Sequence, residues 1–270
     1  MMNNASLVCL SAPNKEYTGC ETPEQLIAWV ARVSNPTNQN NTATASKLVK
    51  YLIAHAHWSP FELAHMTVSI TTTRDIAKQI VRHRSFSFQE FSQRYANPLD
   101  MLRGFVPREA RLQDTKNRQA SIELPSTEEA AQFILEWEKK QAAVYQAATD
   151  AYQWAIDNGI AKEQARCVLP EGNTATVIYM AGSVRSWIHY CILRRKWDTQ
   201  KEHRLIADSC WELLTQNFPS VAAVIDKIEE DKKLRDEVYT IVAEHFNSNE
   251  PELSEHFTMD RLSTFFRDTE

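Results

Sequence analysis

The spacing of apolar and polar positions changes several times along the chain, and each change marks an element. Thr22-Pro23-Glu24-Gln25 supplies an N-cap, a proline at the first helical position and an amide three residues after the cap. That combination predicts a helix from Thr22 to about Ser34. After an Asn-rich loop at 35–41, Leu48, Leu52 and Ile53 share a helical stripe within Thr44 to His57, and Ser59-Pro60 stops it. The period then drops to two. Met66, Val68 and Ile70 alternate with Thr67, Ser69 and Thr71, which predicts a half-buried strand. A short helix from Asp75 to about Val81 comes next, and the partial alternation of Phe86, Phe88 and Phe91 predicts an extended stretch over 86–94. Residues 97–125 carry three prolines and no period, so they read as a long loop.

From Ser126 the pattern is helical to about Asn158, where Gly159 ends it, and a second helix runs from Lys162 to Val168. Thr174 to Met180 is apolar and β-branched, a second strand. Helices are then expected at Ser183–Arg195, Gln200–Asn217, Ser220–Glu229 and Asp231–Phe246. No repeat and no long linker divides the chain. The fold class expected is α/β in the α+β sense: one mostly helical domain over residues 1–270 around a small mixed β-sheet, with 218–270 as a helical C-terminal extension.

Composition removes several functional classes. The 270 residues include only five glycines, Gly19, Gly104, Gly159, Gly172 and Gly182, none beside another. Average usage of about 7% would give several times as many. A glycine-rich loop that brings backbone against phosphate is therefore excluded, as are the dinucleotide and P-loop fingerprints. The longest apolar runs, such as Val177 to Gly182, are too short for a bilayer, and Met1-Met2-Asn3-Asn4 lacks the basic start and apolar stretch of a signal peptide. The expectation is a cytoplasmic protein without membrane contact. The five cysteines are scattered and contain no CxxC pair, so buried reduced thiols are expected rather than a disulfide framework or a metal site.

Net charge is −5, against a surface broadly adapted to nucleic acid, yet eight arginines fall between Arg74 and Arg118. Arg82-His83-Arg84 alone could be a solvated helix end, where cations complement the helix dipole. The next ten residues weigh against that. Ser87, Gln89, Glu90, Ser92 and Arg94 interleave donors, acceptors and charge between phenylalanines, an arrangement costly to bury and without purpose on a bare surface. Hydroxyls and guanidinium forks suit a phosphate, whereas Gln89 and Glu90 suit hydroxyls or ring amides.

This segment resembles the signature of the flavin-dependent thymidylate synthases: Arg82-His83-Arg84, Ser87, Glu90, Ser92 and Arg94-Tyr95, with Gln89 where the family usually has Asn. Ala31-Arg32-Val33-Ser34 and His55-Ala56-His57-Trp58-Ser59-Pro60-Phe61-Glu62 resemble the family's earlier motifs. Ala165 to Pro170 and Arg185-Ser186-Trp187 through Leu193-Arg194 resemble its later ones. The likeness spans about Thr22 to Asn217. Ser183 stands where Asn is frequent and Leu63 where His is common.

Members of that family convert dUMP to dTMP, taking the one-carbon unit from methylenetetrahydrofolate and reducing equivalents from NADPH through bound FAD. The resemblance implies that fold, a homotetramer with active sites shared between subunits, and no nucleic-acid partner. It also implies that Ser59, Arg82, His83, Arg84, Glu90, Ser183, Arg185 and His189 line the FAD site, with His57 in the flavin pocket. Gln79, Arg82, Glu90, Ser92, Arg94, Arg166 and Arg194 would hold dUMP. Arg194 would be the catalytic residue, favouring the ionised uracil ring.

The resemblance supplies a partition, with Arg185 and His189 toward the flavin and Arg194 toward the pyrimidine, and helix spacing allows it. Arg185 and His189 lie four apart on one helix face and can share a ligand, whereas Arg194, nine residues beyond Arg185, points about half a turn away. His55 and His57 would project about 200° apart on a regular helix, so they read as partly buried histidines rather than a metal pair. Cys167, beside Val168 and Leu169, is expected to be buried, and no cysteine nucleophile is expected. A nucleic-acid-binding module built on residues 82–95 is the competing reading, and the acidic net charge speaks against it. A flavoprotein methylating uracil in RNA would be expected to carry the glycine fingerprint that is absent.

Overall fold

The computed structural model describes residues 2–101 and 104–225. Its centre is a four-stranded sheet of β1 (Asn4–Leu10), β2 (His65–Thr73), β6 (Ala175–Ser183) and β3 (Ser87–Glu90), in the order β1-β2-β6-β3. All three pairings are antiparallel, so the mixed sheet expected from the sequence is corrected. The reason is topological. β2 and β3 run the same way but do not touch, because β6 inserts between them with Ile70 opposite Ile178 and Phe88 opposite Met180.

Alternation in β2 does what the sequence implies. Met66, Val68 and Ile70 are fully buried, as are Ile178 and Met180 beside them in β6. The main core draws on residues from Ala5 to Ile225 and takes in Trp187, Tyr190 and Leu214 from α8 (Val184–Arg194) and α9 (Lys201–Asn217), and a smaller, separate cluster joins Tyr152, Ala155, Ala165 and Leu169. Each fully buried aliphatic side chain here contributes about 1.5–3 kcal/mol. Gly182 belongs to this packing, since a Cβ there would collide with the Phe86 ring.

The other helices form close to where the pattern sets them. Thr22 and Gln25 make the reciprocal capping box of α2 (Pro23–Ala31), which passes into a 3-10 turn at Arg32–Ser34. α1 (Lys15–Thr18) precedes it, α3 (Ala45–Ala54) follows, and α4 (Arg74–Ile80) leaves the end of β2 directly. α6 (Glu128–Asp157) is capped by Thr127, and Gly159 beyond its end takes φ 77°, a left-handed conformation that favours glycine. α7 (Lys162–Ala165) tightens into a 3-10 turn at Arg166–Val168. Helical residues 219–225 begin the expected helix after Ser220. The remainder of that helix and the one expected over 231–246 lie outside the described residues.

Three expectations are revised. The long loop at 97–125 contains α5 (Pro98–Met101) and a hairpin of β4 (Arg111–Gln113) with β5 (Ser121–Glu123). The extended stretch at 86–94 is a strand only over Ser87–Glu90, although the Phe91 N–H still reaches the Val177 carbonyl. Of the cysteines, Cys20, Cys191 and Cys210 are buried free thiols, whereas Cys9 and Cys167 are exposed. Cys167 escapes burial because it sits in the 3-10 turn, where Leu169 turns inward instead. No helix among the described residues is long and apolar enough to cross a membrane.

Candidate active site

The expected site residues gather in three groups. The first surrounds a cavity of about 510 Å³ where the end of α4 meets the end of α8 and the start of α9. Gln79, Arg82 and Arg194 line it together with Gln119, Asp198, Thr199, Leu193 and Gln200. Arg194 donates from Nε to His83 Nε2 at 2.9 Å, which makes that nitrogen an acceptor. Burial, reinforced by the Arg194 charge, lowers the His83 pKa to about 4. The imidazole is thus neutral near pH 7, orienting the guanidinium without adding a charge. Arg82 and Arg84 are exposed, and no carboxylate among the described residues pairs with either.

A second group lies at the N-terminus of α8. Ser183 caps the helix, accepting from the Ser186 N–H, and donates its own hydroxyl proton to Glu62 Oε2. Arg185 donates to the other Glu62 oxygen at 2.7 Å. The Ser183 bond and then the Arg185 bond hold the Glu62 carboxyl below the usual carboxylate range. His189, one turn beyond Arg185, packs edge-on to Trp58 with centroids 4.9 Å apart. Burial and then the Arg185 charge lower its pKa.

His55 and His57 are both exposed, correcting the expectation of partial burial. α3 has ended before them and Ala56 adopts φ 54°, so the regular-helix spacing does not apply. His55 stacks on Tyr51 at 4.0 Å, and the two imidazoles lie 6.2 Å apart. No group of three or more His, Cys, Asp or Glu side chains is placed to bind a metal among the described residues. Ser59 is exposed at the start of the 3-10 turn that carries Glu62.

The third group is remote in its contacts from the first. Arg94 pairs with Glu163 at 3.1 Å, and Arg166 Nε donates to the Glu163 carbonyl. Ser92 lies two residues before Arg94, its hydroxyl accepting from the Arg94 N–H. None of these three lines the cavity shared by Gln79, Arg82 and Arg194. Glu90 stands apart from all three groups, accepting from Arg74 at 3.1 Å and from the Thr176 hydroxyl at 3.0 Å.

Sequence reasoning passes over Glu62 as a site residue although it lies inside the quoted Ser59-Pro60-Phe61-Glu62 element. Arg74, Gln200 and His203 are missed as well. For these the signal would be proximity in space: Arg74 meets Glu90 across 16 residues, and Gln200 and His203 meet Gln79 across 121 and 124.

Residues 16–220 match the family described as "Thymidylate synthase complementing protein". A probable flavin-dependent thymidylate synthase of Paramecium bursaria Chlorella virus 1 is 47% identical over 223 residues, covering 83% of this chain and 99% of that protein. The chain belongs to the flavin-dependent thymidylate synthase family. A second member, the flavin-dependent thymidylate synthase of Synechocystis sp., is 48% identical over 206 residues, covering 76% of this chain and 90% of its own. Among solved structures, the UMP/dUMP methylase PolB of Streptomyces cacaoi bound with 5-Br dUMP superposes with TM-score 0.67 at 25% identity, covering 83% of this chain and 94% of that one.

For a flavin-dependent thymidylate synthase family member, the donor set fits a flavin dinucleotide. Arg82 and Arg84, unpaired among the described residues, can meet a pyrophosphate, and the Trp58, His189, Tyr51 and His55 rings offer aromatic surface. The five dispersed glycines fit as well, because side chains rather than a backbone loop supply the phosphate donors.

Proposed function

We propose that the protein catalyses the reductive methylation of dUMP to dTMP in de novo dTMP synthesis, with methylenetetrahydrofolate as one-carbon donor and NADPH as reductant acting through FAD. The observation that carries this reading is the cavity of Gln79, Arg82 and Arg194, with a neutral His83 behind the guanidinium. When bound, the flavin supplies the redox chemistry, and the chain's own residues bind, orient and stabilise charge.

Arg194 is the catalytic residue. Its guanidinium, held by His83, stabilises negative charge as it develops on the uracil ring, in a cleft where that interaction is stronger than in water. Gln79 and Arg82 hold the same nucleotide. Ser92, Arg94 and Arg166 serve its phosphate, with Glu163 now occupying the place of an anion partner. Arg84, Ser183, Arg185 and His189 hold FAD together with Ser59, His57 and the outer atoms of Arg82, His83 and Glu90.

Because the first and third groups share no cavity, we assign them to one nucleotide contributed by different copies of the chain in a homotetramer. Exposed Phe133, Trp137, Val144 and Trp154 on α6 offer apolar surface for such packing. The main core, which joins residues from both ends of the described chain between Ala5 and Ile225, supports reading the chain as one domain with a C-terminal extension. Five free thiols agree with a cytoplasmic enzyme.

The test is direct. The purified protein should show flavin absorbance in the visible range and form dTMP from dUMP when given NADPH and methylenetetrahydrofolate. A colourless protein that cannot be reconstituted with FAD contradicts the reading.

A further inference from the structure

From the wall of the cavity, where Gln79 and exposed Gln200 lie, to the buried side chains of Glu202 and His203 runs an unbroken chain of hydrogen bonds that no motif accounts for. It starts at Glu202, buried near the start of α9 and bound by Arg111 at 2.5 Å and Arg108 at 3.3 Å. Gln200 Nε2 donates to Glu202 Oε2 at 3.0 Å. Gln79 Nε2 donates to Gln200 Oε1 at 2.8 Å. Gln79 Oε1 faces His203 Nδ1 at 3.3 Å, and His203 Nε2 faces the Tyr190 hydroxyl at 3.1 Å.

The direction of every bond in this chain follows from its first member. A carboxylate only accepts, so Gln200 must turn its NH2 to Glu202 and its carbonyl to Gln79. Gln79 must then donate to Gln200 and present its own carbonyl to His203. His203 must carry its proton on Nδ1, and Tyr190 must donate to Nε2. Reversing Gln79 would set the Gln200 carbonyl against the buried Glu202 carboxylate, which is repulsive. Without that charge, the two amide orientations would be close to equivalent.

The protonation states fit this order. Burial alone would raise the Glu202 carboxyl, but the Arg111 bond and the charges of Arg108 and Arg111 outweigh it and hold the group below the usual range. Burial, followed by the Arg194 and His83 interactions, lowers the His203 pKa to about 3, so the ring is neutral. Burial raises the Tyr190 hydroxyl well above its usual range, so it keeps its proton.

We propose that Glu202, Gln200 and His203 are positioning residues that lock the Gln79 side-chain amide in one orientation, leaving its second N–H as the group it offers a ring carbonyl of the pyrimidine in the cavity it shares with Arg82 and Arg194. This rests on the proposed dUMP activity. It makes Gln79 a fixed donor, where an unlocked glutamine would present either end of its amide. His203 is fully buried and cannot itself touch the nucleotide, so its influence must pass through Gln79.

The experiment uses the flavin-loaded full chain and dUMP as the probe, with Kd from titration calorimetry and steady-state KM and kcat. His203→Phe should weaken dUMP about tenfold in Kd and KM while kcat at saturation stays within about twofold, the loss of about one net hydrogen bond. His203→Asn, whose amide can still donate to Gln79, should recover most of the loss. In a Gln79→Met background, His203→Phe should add nothing further. If His203→Phe alone does not fold, the double change Tyr190→Phe/His203→Phe removes both buried polar partners together and should show the same dUMP deficit.

Unaltered dUMP binding by these variants, or an additive loss in the Gln79→Met background, overturns the inference. A wild-type protein that fails to bind dUMP overturns the proposed function instead.

Discussion

Two sets of arginines share the basic stretch of this acidic chain, and their surroundings differ. Arg74, Arg108 and Arg111 are largely buried and each meets carboxylates: Arg74 meets Glu90 and Glu171, Arg108 meets Asp75 and Glu202, and Arg111 meets Glu202. They tie the β4–β5 hairpin, α4 and α9 into one body. Arg82 and Arg84 are exposed and unpaired among the described residues, while Arg194 leans on a neutral histidine. Cations whose charge is already balanced hold the fold. Cations left unbalanced beside a cavity have charge available for an anionic ligand. A count of arginines does not separate these roles; burial against a carboxylate does, since Arg94 and Arg185 also meet Glu163 and Glu62 but from exposed positions.

The contrast can be broken most forcefully at Arg194. Arg194→Ala should lower kcat by about 10²–10³-fold, the range for removing a charge-stabilising donor, with a thermal midpoint close to wild type. A similar kcat with a collapsed midpoint would move Arg194 into the structural set. Arg111→Met should do the opposite. It removes one of two cations from a buried carboxylate and should cost about 3 kcal/mol in denaturant unfolding. Arg84→Met should change stability by no more than about 0.5 kcal/mol yet weaken FAD retention, read from the flavin released on gel filtration.

The histidines beside Arg194 give a pH signature. In the folded protein His83 titrates at about 4 and His203 at about 3, both below the roughly 6.5 of a solvated imidazole. The unfolded chain therefore takes up protons first as pH falls. Stability from keeping these rings neutral is full above about 6.5 and is lost as pH drops through the folded values. The thermal midpoint should decline over that window, and His203→Asn should flatten the decline. The smallest effect is expected at Cys167. The thiol is exposed on the turn that carries Arg166, and Cys167→Ala should keep wild-type turnover. Loss of turnover with normal folding would point to a cysteine nucleophile.

Elements with a strong local signal are legible in the sequence. The Thr22–Gln25 capping box, the alternation of Met66, Val68 and Ile70 and the stop at Gly159 all act within a few residues, and all appear as expected. β1 is not legible. Only Ala5 is buried in it, while Leu7 and Val8 are exposed, so no period of two marks the strand. The β4–β5 hairpin escapes for a related reason. Its strands are three residues long and polar, and Lys201 and Glu202 of α9 anchor it through ion pairs rather than apolar contacts.

The antiparallel sheet depends on β6 reaching between β2 and β3 from about 85 residues further on, which no local window reports. The site divides the same way. Motif residues such as Arg82, Arg94, Arg185 and Arg194 can be named from the sequence. The relay through Gln200 and His203 cannot, because a hydrogen-bonded chain between two helices has no spacing to read.

If Arg194 in one group and Arg166 in another serve a single nucleotide from different copies of the chain, subunit complementation should reveal it most directly. Arg194→Ala and Arg166→Ala should each be nearly inactive alone, and co-expressed as mixed oligomers they should recover a clear fraction of wild-type dTMP formation, because some sites then receive both intact arginines. Mixed oligomers no more active than their parents would contradict the shared site.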